Sequence, residues 1–456
     1  MFTTILSFVV VIGVLILIHE LGHFLVARLV GVGVERFSIG FGPVLLRWRG
    51  KETEYCLSLI PMGGYVKMMG EENPLEGGEQ LPYDPKKAFS LKPLWARFLI
   101  VFAGPGMNFV LAAAIFAVVF ATVGRPVFPA VVGRVSEGSP SSAAGLRTGD
   151  QIVAANGRAI EHWADVERVV ADSGGKPIDL KISRANATET VTVAPRQTTV
   201  RDQIFKETRE VWDIGAGPQL IPYVRSVNPG SPAEKGGVKP GDQVVAIGGE
   251  AVYTPEEMTQ TIQRRVGQPI PITVVRGERR ETLTVTPLAE KSKDPVTGKD
   301  VEIGRIGVGI DTKVVSFKAY GPVQSVWQGG VATWEMTKLT LKGFWSLVVG
   351  TIDRSNIGGP VQIASEAGRQ AREGFVYLAR FAAIISVNLA VLNLLPVPML
   401  DGGHLAFFVV EAIIGRPISV KKREAAQQVG FVLLMLLMVY ALYNDLVRID
   451  AFNFFK

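Results

Sequence analysis

Within five residues, His19-Glu20-Leu21-Gly22-His23 places two imidazoles and a carboxylate in an apolar stretch, "LILIHELGHFLVARLV". Side chains at i and i+4 share a helix face, so both histidines can reach one Zn²⁺ while the glutamate between them polarises a metal-held water. The pattern is H-E-x-x-H, that of zinc hydrolases. Its setting sharpens it, because an ionisable group within a membrane span costs roughly 2.5 kcal/mol or more. The competing reading is that this turn merely sits at the membrane–water interface, solvated by headgroups.

A catalytic zinc takes a third protein ligand and keeps a position open. The metzincin extension fails, since its glycine and third histidine would fall on Val26 and Leu29. Glu35, Glu52 and Glu54 are available downstream, but none lies in a helical pattern facing back. A better candidate is Asp401, in "NLLPVPMLDGGH" (Asn393–His404). Two prolines two residues apart break a helix, and backbone freed at membrane depth is tolerated only inside protein or along a watery cavity. If that cavity is the zinc site, Asp401 supplies the carboxylate; otherwise Asp401-Gly402-Gly403 is simply the turn that ends the helix.

These residues need helices to carry them. The chain has 456 residues, 48% of them apolar, which points to a membrane protein with attached globular parts. Stretches of crossing length are Phe2–Ala27, Phe98–Val123, Phe375–Leu400 and Val429–Leu446. The first has no basic n-region or A-x-A-like site and reads as a retained helix. The net charge of +6 does not point to nucleic acid, because the basic residues flank the apolar runs. Ten Lys/Arg lie between Arg28 and Arg97, and Arg416, Lys421, Lys422 and Arg423 lie between the last two spans. Both loops fall on the cytoplasmic side by the positive-inside rule, which leaves both termini and the segment from Gly124 to about Gly374 outside. Cys56 stands alone, so no intramolecular disulfide can form.

The outer segment contains a repeat. "GSPSSAAGLRTGDQIVAANG" (Gly138–Gly157) recurs without a gap as "GSPAEKGGVKPGDQVVAIGG" (Gly230–Gly249), 92 residues on. Each copy is followed by a helix-like stretch (Trp163–Asp172; Pro255–Arg265) and alternating strands. The copies resemble bacterial PDZ domains, which bind extended peptides at a sheet edge. The first departs at Ala155, where a larger aliphatic is usual. "AYGPVQSVWQGGVATWEMTKLTLKGFWSLVVG" (Ala319–Gly350) reads as an amphipathic segment on the outer membrane surface, since a fifth span would break the parity of the basic loops. Asn186-Ala187-Thr188 fits a glycosylation acceptor, a pattern that arises often by chance.

Together, His19-Glu20-x-x-His23, Asn393-x-x-Pro396-x-Pro398-x-Leu400-Asp401-Gly402 and the tandem PDZ-like repeats resemble the site-2 protease family of intramembrane zinc metalloproteases. "FSIGFGP" (Phe37–Pro43), "PMGGYVKM" (Pro61–Met68) and "AGPGMNF" (Ala103–Phe109) match further motifs of that group, so the resemblance covers nearly the whole chain. It implies a polytopic α-helical membrane protein of four transmembrane helices, with two extracytoplasmic α/β PDZ-like domains and a membrane-associated β-region. The expected divisions are 1–123, 124–215, 216–315, 316–374 and 375–456. The resemblance further implies a Zn²⁺ held by His19, His23 and Asp401, with Glu20 as general base. Substrate would be held by Asn393 and by a β-region containing Gly63, Gly64, Tyr65 and Val66. Expected substrates are single-pass proteins of the bacterial inner membrane, of the anti-sigma-factor type or remnant signal peptides, with the PDZ-like pair as a size filter. Two other classes stay open: an inert zinc-binding scaffold that recruits partners, and a metal-ion carrier.

Overall fold

The computed structural model describes residues 2–71, 84–185, 187–202, 205, 207–293, 300–312, 316–351 and 358–448. Asn186 of the acceptor triplet lies outside them. The chain forms two compact units, Met1–Val123 with Ala319–Lys456, and Gly124–Lys318.

The first unit contains the helices α1 (Phe2–Leu29) and α2 (Leu94–Thr122), then, after the second unit, α5 (Pro322–Val349), α6 (Pro360–Glu373), α7 (Phe375–Leu394), α8 (Asp401–Ile414) and α9 (Val420–Arg448). Among the described residues, α1, α2, α7 and α9 are long and apolar enough to cross a membrane. Their large apolar side chains face outward, as Val10, Val110, Leu433 and Leu436 do, which suits a hydrocarbon solvent. Small residues face inward, letting backbones approach.

The third span is shorter than the sequence reading of Phe375–Leu400. Helix α7 stops at Leu394 because Pro396 and Pro398 bring no N–H to continue it. The chain turns tightly: Met399 takes φ 96°, and Leu400 returns to extended backbone and caps α8. Asp401 is therefore the first residue of a new helix, not the turn ending the old one. A side chain on Gly402 or Gly403 would collide with carbonyls of residues 394, 395 and 397, so the Gly-Gly pair lets α8 fold back against the turn.

The segment expected at the membrane surface forms α5, which packs along α2 and α7. Its inward face is Ser325, Gly329, Thr333 and Thr337, one turn apart, while Val326, Trp327, Trp334 and Trp345 point outward. Thr333 and Thr337 donate back to carbonyls one turn earlier, and Thr340 donates to Asn388 of α7 at 2.7 Å. Small residues and hydroxyls on the inside let its backbone approach α2 and α7 closely. The stripe at i, i+4, i+8 is the physical reason that this helix packs closely along α2 and α7.

Between α1 and α2 lie the long strands β1 (Val34–Arg49) and β2 (Glu54–Met68). Both bend, so that Val34–Ile39 is flanked by Gly64–Met68 on one edge and by Glu54–Leu57 on the other. Phe24, Phe37 and Tyr55 pack edge to face and seat the sheet on α1.

In the second unit the two repeats have matching cores. The helices α3 (Trp163–Asp172) and α4 (Pro255–Gln263) bury Trp163, Val166 and Val170, and Met258 and Ile262, against their sheets. Asp150 and Asp242, the repeated Gly-Asp positions, are 2% and 0% exposed. Each receives two hydrogen bonds from one guanidinium, Arg184 (2.7 and 2.6 Å) or Arg276 (2.7 and 2.8 Å). Each also accepts a backbone N–H three residues upstream, from Arg147 or Lys239. Strand Ala216–Pro218 pairs with Val132–Val135 of the first repeat, so that repeat runs past the expected division at 215.

Candidate active site

One face of α1 and the first residue of α8 meet. His19 Nε2 lies 3.0 Å from an Asp401 oxygen and 3.3 Å from His23 Nε2, and His23 Nε2 lies 3.6 Å from the other Asp401 oxygen. The three donor atoms are all within 4.8 Å of one another, and no other such trio of His, Cys, Asp or Glu occurs among the described residues. Both histidines are 8% exposed. Their outer nitrogens are held by α2: His23 Nδ1 is 2.9 Å from the Ile100 carbonyl, and His19 Nδ1 is 3.3 Å from the Asn108 side chain.

The donor set tests whether a metal belongs here. Two imidazole nitrogens and a carboxylate oxygen are borderline-to-hard donors suited to zinc and leave a fourth position open. Space is kept by α2, because a Cβ on Gly104 would run into both imidazole rings at their Nε2 atoms. Pro105 beside it leaves the carbonyl one turn back without its usual intrahelical donor. The residues fit a zinc ion.

Glu20 lies between the histidines and faces the same cavity, about 500 Å³, whose wall includes Gly64, Tyr65 and Val66. Gly64 makes the strand edge approach α1 closely, since a Cβ there would meet Glu20 Cγ at 3.0 Å and the Ser38 carbonyl at 2.9 Å. Gly63 does something else: at φ 126° it packs on the Phe41 ring, and it does not line the cavity. Asn393 sits half-buried in the last turn of α7 and is not among the lining residues. The alternative carboxylates are engaged elsewhere. Glu52 bonds Arg28 (2.6 Å) and Lys87 (2.5 Å), which hold its carboxyl below the ordinary value. Burial opposes ionisation of Glu54, but Arg36, Arg47 and Arg49 prevail and lower it too, and Glu35 pairs with Lys67.

Several residues went unsingled in the sequence. Gly104 and Asn108 lie within the quoted "AGPGMNF", yet nothing local says that they meet His19 and His23. Arg97 at the start of α2 bonds Glu411 of α8 through two nitrogens (2.5 and 3.2 Å) and lies over the Phe408 ring, so α8 and Asp401 are tied to α2. The wall of the cavity continues past this pair to His404 and Arg423.

The family model for "Peptidase family M50" matches residues 7–437. The chain is 35% identical to the regulator of sigma-E protease RseP of Escherichia coli (strain K12), over 97% of this chain and 98% of that protein. It is 33% identical to protease RseP of Yersinia pestis and to the regulator of sigma-E protease RseP of Salmonella typhimurium, again over 97% of this chain and 98% of each. Similarity therefore runs through both halves of the metal-donor cluster and everything between them. The chain belongs to peptidase family M50, the site-2 proteases, and is a membrane-embedded zinc metalloendopeptidase.

Proposed function

We propose that His19, His23 and Asp401 hold the zinc and that Glu20 is the general base, in an enzyme that hydrolyses peptide bonds within transmembrane segments. The convergence of three donor atoms on one cavity that Glu20 and a strand edge also face carries this reading. When bound, zinc supplies Lewis acidity, lowering the pKa of a water and polarising a carbonyl. Glu20 takes the proton of the attacking water on a carboxylate oxygen and returns it to the leaving amine. A helical substrate hides its peptide bonds, so it has to be unwound first. Gly64–Met68, paired only with Val34–Ile39 among the described residues, offers backbone donors and acceptors along the cavity to an added, extended strand. Asn393 enters as a substrate-holding residue by resemblance alone.

Charge asymmetry supports a topology with the Arg28–Arg97 loop cytoplasmic and the repeat unit extracytoplasmic, in a bacterial inner membrane. Relatives named for sigma-E regulation support single-pass substrates of the anti-sigma-factor type. In this proposal the two repeats are PDZ-like domains that admit substrates already trimmed outside the membrane.

The test is cleavage of a model single-pass protein by the purified chain. Glu20→Gln is expected to keep its zinc and lose cleavage by about 10²–10⁴-fold, the usual worth of a positioned general base. Undiminished cleavage sinks the role given to Glu20. Asp401→Asn is expected to lose both zinc and activity, and normal zinc content would remove Asp401 from the ligand set.

A further inference from the structure

Asn108 is fully buried in α2, one turn beyond Gly104 on the same helix face. Its amide nitrogen is 3.3 Å from His19 Nδ1, while Oδ1 has no hydrogen-bond partner. An orphaned buried oxygen costs about 1–3 kcal/mol and asks for an explanation. The chemistry of His19 decides which amide atom should face it, and the unpaired position then passes from the oxygen to the NH₂. In both histidines Nε2 points at Asp401, so Nε2 is the atom that ligates. A neutral imidazole whose Nε2 lone pair is given to a metal carries its proton on Nδ1, which is then a donor needing an acceptor. His23 has one, the Ile100 carbonyl. For His19 the neighbouring group is the Asn108 side chain, whose oxygen and nitrogen exchange places by a half turn of the terminal amide. With the oxygen toward Nδ1, donor meets acceptor, whereas the NH₂ toward an Nδ1–H would set donor against donor.

We propose that Asn108 is a positioning residue for the metal: its side-chain oxygen accepts the hydrogen bond of His19 Nδ1–H and so holds the imidazole with Nε2 free to ligate. The proposal rests on the reading of His19 as a ligand. Ser386 of α7 anchors this residue by donating to the Asn108 backbone carbonyl at 2.8 Å. Gly104 and Asn108 then divide the work of one α2 face, the first leaving room for the two rings and the second fixing the orientation of one of them.

The experiment measures zinc affinity of the purified full chain by competition with a chromophoric chelator, together with the visible spectrum of the Co²⁺-loaded protein. Asn108→Leu and Asn108→Ala remove the acceptor in two sizes, so that one remains if the other does not fold. Asn108→Asp keeps an oxygen facing Nδ1, and His19→Ala is the control for the ligand itself. The expected result is zinc binding about 10–100-fold weaker in the leucine and alanine variants, the usual cost of removing such a partner. The aspartate variant is expected to bind like the parent and to share its Co²⁺ spectrum. Parent-like affinity in Asn108→Leu, with His19→Ala having lost zinc, overturns the role of Asn108 while sparing that of His19. Equal loss in the aspartate and leucine variants overturns it too, reducing Asn108 to packing. Parent-like zinc binding in His19→Ala overturns the ligand reading on which the proposal stands.

Discussion

At the scale of single residues the centre depends as much on a missing atom as on those present. Gly104 has no side chain, and the space where its Cβ would stand is taken by the His19 and His23 rings. Gly104→Ala should therefore push the imidazoles off Asp401. Overpacking of this kind costs about 1–3 kcal/mol, and here that strain falls on the proposed metal donors. The expected outcome is a folded chain whose zinc content and cleavage both fall sharply, read by metal analysis and by turnover of a model transmembrane substrate. Full zinc occupancy would mean that the rings do not use that space. His19, Glu20 and His23 were legible because i and i+4 make one face of any helix, and the pair of prolines flagged Asp401. Gly104 and Asn108 were not, because their partners lie on another helix: Asn108 and His19 are 89 residues apart and no local period joins them.

Among the elements, α8 decides whether Asp401, the proposed third donor, arrives. Sequence placed Asp401 beyond a broken span, but carried the span on to Leu400 where the helix stops at Leu394 and left α8 unread, since a largely apolar run of that length suits a crossing whether or not prolines divide it. What seats α8 could not be read at all: Arg97 and Glu411 are 314 residues apart, 15% and 17% exposed, and joined by two hydrogen bonds. Breaking one partner of a mostly buried, hydrogen-bonded pair leaves the other stranded and costs up to about 3–5 kcal/mol. Replacing both by apolar residues costs less. Glu411→Leu alone should thus lower the unfolding temperature and zinc content more than Arg97→Met with Glu411→Leu together. A double variant showing the sum of the two single losses would mean that the pair does not act as a unit. The same limit explains α5. Lys338 and Lys342 mark it as amphipathic, while its packing against α2 and α7 is signalled by the small stripe Ser325, Gly329, Thr333, Thr337, whose partners lie on other helices.

At the scale of the molecule, each unit's solvent sets what its sequence discloses. In the first, apolar side chains point out and polar ones meet within, so length and hydropathy announce the spans but not their partners. In the second, water imposes the usual order. Repetition after 92 residues and alternating strands disclosed the two repeats and the longer helix of each, whereas the hairpins Arg196–Arg201 with Thr208–Asp213 and Leu288–Lys293 with Asp300–Arg305 passed unread. Those hairpins are mostly polar two-stranded ribbons and leave little hydrophobic pattern to find.

The second repeat also carries an expected pH dependence of its own, set by the Asp242–Arg276 pair. Burial opposes ionisation of Asp242, but the two bonds from Arg276 and the Lys239 N–H outweigh it and hold the carboxyl below its ordinary value. A group depressed in the folded state stabilises the fold at pH values above its unfolded pKa, about 3.9 for aspartate, and that contribution is lost as pH falls through the folded value. Unfolding of the full chain, followed by circular dichroism, should therefore show a β-rich transition that is flat near neutrality and drops in acid. Arg276→Met strands the carboxylate without its main partner, so the folded pKa rises. The variant should then be less stable near pH 7 and lose less on acidification, since protonation now relieves a penalty instead of breaking a pair. If parent and variant fall in parallel through the acid range, the dependence comes from other carboxylates and the Asp242–Arg276 pair is not what ties this repeat's stability to pH.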